Sequence, residues 1–209
     1  MLADDYYRLA HHDVTGKPRL HPTAVGVGCA AALLAELIGA RRVVVEDAAV
    51  SVVDRRPPDD SLMHVVLDHL VAEEGRRHDV RTWLAFLSKD AAPQIAQRLL
   101  RSGHVRLEAV RRLGRQTGVV YVPVDINVAA RPWALLSQRL RRHEPLGYDE
   151  LALAGLVLAT GLESFLLDGA PAATFEFLKH QVGTLWPPMR SLLFHTHAVI
   201  GEAVLAHRT

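Results

Sequence analysis

The stretch Ala32-Leu-Leu-Ala-Glu-Leu-Ile-Gly-Ala-Arg-Arg-Val-Val-Val-Glu46 decides how this chain folds. Its first half is apolar and rich in helix formers, and it continues a run that starts at Thr23, a residue type suited to capping a helix. Gly39 then reads as a stop signal. The three valines open a different pattern: Val43 to Val53 is β-branched on both sides of an acidic turn, which predicts a small hairpin. A buried helix followed directly by a short hairpin, with no second strand to pair in parallel, points away from α/β architecture.

Working outward, Leu2 to Ala10 carries a short helical pattern, and Asp13-Val-Thr-Gly-Lys-Pro18 supplies turn chemistry. Past the hairpin, Arg55 to Asp60 reads as a loop. Ser61 is expected to cap a helix with Leu62, Val65, Val66, His69 and Leu70 along one face. Asp79 opens another helix, with Val80, Trp83, Leu84 and Leu87 as its apolar stripe, and residues 90–102 make the next, ended by Gly103. Val105 to Leu113, a turn at Gly114-Arg-Gln-Thr-Gly118, and Val119 to Val124 predict a second hairpin, with Pro123 keeping its strand at an edge. Residues 133–142, 149–167, 175–182 and 188–207 complete a series of helices, of which 149–167 is apolar nearly all round and so buried. The expectation is mainly α: one helical bundle wrapped by amphipathic helices, with two small β-hairpins. No composition shift marks a boundary, so residues 1–209 read as a single domain.

Apolar residues make up 49% of the 209, and charged residues 22%, which excludes a disordered chain. A lone cysteine, Cys29, rules out a disulfide framework and predicts a reducing, cytoplasmic setting. The opening residues MLADDYYR are acidic where a secretory leader would be positive. The two longest apolar runs, Ala24 to Ala35 and Leu151 to Leu162, span 12 residues each, short of the ~20 that cross a bilayer, and read as core helices. Net charge is only +1, but its placement is uneven: ten arginines and two acids lie between Arg98 and Arg142, a local net of 10 − 2 = +8. That asymmetry predicts a face for an anionic surface, phospholipid headgroups first, set against ordinary solvated helix faces.

Motifs for chemistry are sparse. Gly26-Val-Gly-Cys-Ala-Ala31 fits G-x-G-x-x-A, with Glu46 beyond it, yet Pro18 to Thr23 is a poor strand to feed a dinucleotide site. Small residues that let a helix pack closely explain the same pattern. Histidines cluster at His11-His12-Asp13, at His64, Asp68 and His69, and at His195 and His197, without the spacing of a metal motif. No nucleophile elbow exists, and Cys29 sits mid-helix as a small hydrophobe. No enzyme activity, metal or cofactor is expected.

The order of elements resembles the Golgi phosphoprotein 3 family. The opening helix with Asp13 to Lys17, the Ala32 to Glu46 stretch, Asp54 to Asp68, Arg81-Thr-Trp-Leu84 and the hairpin from Val105 carry the likeness, which covers nearly the whole chain. The resemblance implies a helical bundle with a projecting hairpin, and a role on membranes: eukaryotic members read phosphatidylinositol 4-phosphate and retain glycosyltransferases in the Golgi. The arginine-dense composition and short loops point to a bacterial member. The family's headgroup pocket falls near His21, Ala30, Lys89 and Ala92 here. Only Lys89 keeps a positive charge and His21 an aromatic ring, so the phosphoinositide pocket is poorly preserved.

The resemblance also implies that the hairpin mediates membrane contact or self-association. Here Arg111, Arg112 and Arg115 surround its tip, and Val119, Val120 and Tyr121 give it apolar content. The leading expectation is therefore a non-enzymatic, peripheral phospholipid-binding module at the inner face of a membrane, with anionic headgroups as its partner and no nucleic acid. The alternatives are an oligomerising adaptor for a protein client and, last, a nucleotide-binding enzyme using Gly26 and Gly28.

Overall fold

Helix α2 (Pro22–Gly39) buries 14 of its 18 residues, too many for one face, so other elements must enclose it. The computed structural model describes the backbone of residues 1–112 and 115–206, and side chains there except at 111–112, 115–117 and 204–206. Six helices pack around α2: α1 (Leu2–Ala10), α3 (Ser61–Ala72), α4 (Val80–Leu87), α5 (Ala91–Arg101), α7 (Tyr148–Thr160) and α10 (Pro187–Ala206). By length and composition α2 could cross a membrane, but 78% of it is buried inside this protein. Its glycines serve that packing. A Cβ on Gly28 would overlap the Tyr6 hydroxyl, and one on Gly26 would come within 2.6 Å of the Ser88 carbonyl. Gly26 and Gly28 both lie inside the helix, with no strand leading into it, so they do not form a dinucleotide-binding turn.

The remaining elements brace this ring. Strands β1 (Val43–Glu46) and β2 (Ala49–Val52) form the expected antiparallel hairpin, turning at Asp47 and Ala48, both with positive φ. Helix α3 also lies on α5, and a 3-10 turn (Glu74–Arg76) leads to α4. Strands β3 (Val105–Arg112) and β4 (Arg115–Pro123) make the second hairpin. Helix α6 (Ile126–Arg141) packs on α1, and α8 (Glu163–Leu166) and α9 (Ala172–Gly183) lead to α10.

Several boundaries differ from the sequence expectation, each for a local reason. His21, not Thr23, caps α2, its ring Nδ1 accepting the Thr23 N–H at 3.3 Å. Gly39 remains helical, and the left-handed residue beyond it is Arg41. Asp60, not Ser61, caps α3 by accepting the Met63 N–H at 3.0 Å. The apolar run 149–167 divides at Gly161, whose φ of 80° gives α7 a left-handed end that only glycine takes easily. Helix α6 starts seven residues before Trp133, because Asp125 caps it and Pro132 is tolerated inside. Ala129, Pro132, Leu136 and Leu140 form its buried stripe, and that burial offsets the hydrogen bond the proline ring removes.

One polar cluster ties the ring together. Arg98 on α5 is 9% exposed; its Nε donates to Asp4 Oδ1 at 2.9 Å and its Nη1 to Asp60 Oδ1 at 2.8 Å. Glu36 Oε2 lies 3.8 Å from the same guanidinium, while Glu36 Oε1 accepts the Ala3 N–H at 2.9 Å. Four helices meet at this arginine. Replacing Arg98 by Met should therefore lower unfolding free energy by about 3–5 kcal/mol, since three carboxylates lose their shared cation. Urea titration followed by circular dichroism checks this, and a loss below about 1 kcal/mol would contradict it.

Candidate functional site

Among the described residues, the β3–β4 hairpin is held at its base. Val105 and Val122 are buried there, and the loop residue Gly16, at φ 65°, lies so close that a Cβ would overlap the Tyr121 carbonyl. The Tyr121 hydroxyl accepts a hydrogen bond from the Gln97 side-chain amide of α5 at 3.0 Å. The register pairs Leu107 with Tyr121 and Ala109 with Val119 on one face, and Glu108 with Val120 and Val110 with Gly118 on the other. Beyond the base both faces meet solvent: Leu107, Val110 and Val119 are 48, 41 and 55% exposed. Arg115, Gln116 and Gly118 pair with Arg112, Arg111 and Val110 within the ladder, so these residues of the expected Gly114 to Gly118 turn belong to strand β4; Gly114 itself lies outside the described residues. A bulge between Val110 and Arg111 absorbs the extra residue. The side chains of Arg111, Arg112 and Arg115 lie outside the described residues.

Histidine and arginine tie the loop after α1 to α1 and to α6, beside the hairpin base. His11 stacks on Tyr7 at 3.9 Å and donates from Nδ1 to the Tyr7 carbonyl at 2.7 Å. Arg19 donates from Nε to the His11 carbonyl at 3.2 Å and places its guanidinium 4.6 Å from the centre of the Trp133 ring. Tyr7, His11, His104, Val105 and Tyr121 enclose about 20 Å³, room for a single water. The other histidine groups stay apart. His12 meets Asp13 at 3.3 Å, and His64 pairs with Asp68 at 3.4 Å across one exposed helical turn. No group of three or more metal-ligating side chains converges among the described residues.

The basic belt is less bare than its composition implies. Of its seven arginines with described side chains, Arg98 is internal, and Arg106, Arg139 and Arg142 pair with Glu108, Glu150 and Glu144 at 2.8, 2.9 and 3.7 Å. Arg141 donates to the Asp168 carbonyl at 2.7 Å. Only the side chains of Arg101 and Arg131 lack a polar partner among the described residues. Lys89 is exposed on the turn between α4 and α5, and the contact of Gly26 with Ser88 sets that turn beside the first half of α2, which His21 caps. Of the other two positions expected near a headgroup pocket, Ala30 is buried and Ala92 half-buried.

A family comparison covers this whole arrangement. The model for Golgi phosphoprotein 3 (GPP34) matches residues 2–180, from α1 through most of α9. The chain belongs to the Golgi phosphoprotein 3 family. No curated protein matches it. The family resemblance read from the sequence is thereby shown, and the expected mainly helical fold with two small hairpins is the one observed. Leu107, Gln97 and Gly16 were not singled out from sequence. Alternation along β3 would have placed Leu107 opposite Tyr121, whereas nothing in the chain pairs residue 97 or 16 with residue 121.

Burial pushes the His11 imidazole down from 6.5 to about 4. The unfolded chain takes up a proton below pH 6.5 and the folded one only near pH 4. Stability is therefore complete above pH 6.5 and falls by roughly 3 kcal/mol as pH drops toward 4. Urea midpoints measured across that range should show the slope, and His11→Gln should flatten it.

Proposed function

We propose that this protein is a peripheral, non-enzymatic membrane module that lays the distal half of the β3–β4 hairpin into the headgroup region of an anionic bilayer. The observation that carries this is the exposure of Leu107, Val110 and Val119 on both faces of a hairpin anchored at its base. A two-stranded ribbon is marginal in water, and apolar side chains on both sides call for a surrounding medium rather than one flat partner. Half-exposed residues of this size gain roughly 1 kcal/mol each on burial. Arginines near an anionic surface add about 1 kcal/mol each, and the sequence supplies Arg111, Arg112 and Arg115 around the tip. Neither term anchors the protein alone, which is the two-signal logic of reversible membrane binding. Such a site sits at the inner, cytoplasmic face, where anionic lipid is presented.

A second reading has its own support. Each hairpin strand has an unpaired edge, which a second copy of this chain could extend, as an oligomerising adaptor for a protein client requires. Vesicle sedimentation separates the two. Phosphatidylglycerol-containing vesicles should bind the protein, phosphatidylcholine vesicles should not, and added salt should release it. Leu107→Asp with Val119→Asp should abolish binding while leaving the circular dichroism spectrum intact. Equal sedimentation with both vesicle types, together with a dimer that the double variant breaks, would favour the adaptor instead.

A further inference from the structure

We infer that the groove between α3 and α5 is the site that receives the phosphate of an anionic phospholipid, a step that rests on the membrane reading above. The groove is an open depression of about 450 Å³ beside the hairpin base. Arg101, Gln94, Gln97 and Ser61 line its polar side, and Leu62, Val65 and Pro93 its apolar side. Three features set it apart from the rest of the surface.

The first is free charge. Four of the seven belt arginines with described side chains are occupied by glutamates or by the Asp168 carbonyl, but the Arg101 side chain makes no polar contact with any described residue. Its guanidinium fork is available for two oxygens of a phosphate, the geometry at which arginine is strongest. The second is the complement of neutral donors. The amides of Gln94 and Gln97 and the hydroxyl of Ser61 can each give a hydrogen bond to phosphate oxygens that Arg101 leaves unpaired. Asp90 also lines the groove, but eleven residues before Arg101, about 16 Å along α5, so its charge sits at the other end.

The third is position. Gln97 donates to the Tyr121 hydroxyl, so one residue both lines the groove and holds the base of the hairpin. The groove therefore lies beside the base of the hairpin that meets the membrane, on the side of α5 that faces it. Arg101 lies one helical turn past Gln97, on the same face of α5. This site differs from the positions near His21 and Lys89 expected by resemblance. It also differs from the other cavity of about 450 Å³, between α1, the end of α2 and α7, which is lined by Asp5, Glu36, Asp149 and Glu150. Acidic walls repel phosphate.

The test uses the full chain with two probes: phosphatidylcholine vesicles containing phosphatidylglycerol, and soluble glycerol phosphate followed by amide chemical shifts. Arg101→Ala should weaken vesicle binding about tenfold, the loss expected for a charge-assisted hydrogen bond, and should erase shifts that glycerol phosphate causes at Ser61, Gln94 and Gln97. Arg131→Ala, which removes the other belt arginine without a polar partner among the described residues, should leave those shifts unchanged. Leu107→Asp with Val119→Asp should lose the vesicles yet keep the shifts. Wild-type affinity in Arg101→Ala, or shifts that map elsewhere, would overturn the groove and leave the membrane reading standing. Shifts in the groove without any vesicle binding would overturn both as statements about lipid.

Discussion

Everything in this fold leans on how Arg98 is neutralised. A guanidinium taken out of water costs several kcal/mol unless carboxylates and hydrogen bonds surround it, and Asp4, Glu36 and Asp60 do so from three other helices. Burial alone would lower the Arg98 pKa, yet the three acids together hold it above the usual arginine value. Burial raises the Glu36 carboxyl, partly opposed by the Ala3 N–H and by Arg98 itself. Asp60 does double duty, capping α3 while it holds α5. Apolar packing around α2 tolerates small rotations of its neighbours, whereas these short, directional contacts do not. The cluster therefore sets the register of α1, α3 and α5 on the central helix.

That register decides what the outside can do. With α5 fixed, its outward side presents Gln97 to the hairpin and Arg101 to the groove, while Arg98 faces inward. Neighbouring arginines on one helix thus serve opposite ends, one as internal glue and one as a free cation. The hairpin leaves the body where Val105 and Val122 are still buried, and beyond that point Leu107, Val110 and Val119 stand exposed. A protein with little net charge acquires a polar and apolar working edge through placement, not through composition.

Much of the architecture was legible along the chain. Apolar all-round patterns marked α2 and α7 as central, the valine runs marked both hairpins, and Asp79 and Gly103 bounded their helices as read. What escaped reading were boundaries set by competition between adjacent candidates. Asp60 beats Ser61 and His21 beats Thr23 as caps, because the choice depends on which side chain the surrounding packing leaves able to turn back. The helix read as 133–142 starts at Ile126 and carries Pro132 inside it, since a buried stripe outweighs a local penalty. The fingerprint at Gly26 and Gly28 was a packing signal, as the contacts with Ser88 and Tyr6 show.

The sequence by itself determined the family, the helical class, the two hairpins and the crowding of arginine into the middle third, because each is a matter of local pattern and period. Tertiary structure alone decided which arginines are free. Charge is counted along a chain, but its availability depends on partners: Arg98 finds Asp4 at a separation of 94 residues, and Arg101, three positions on, finds none among the described residues. Coulomb energy depends on distance and burial, and neither is written in the order of residues.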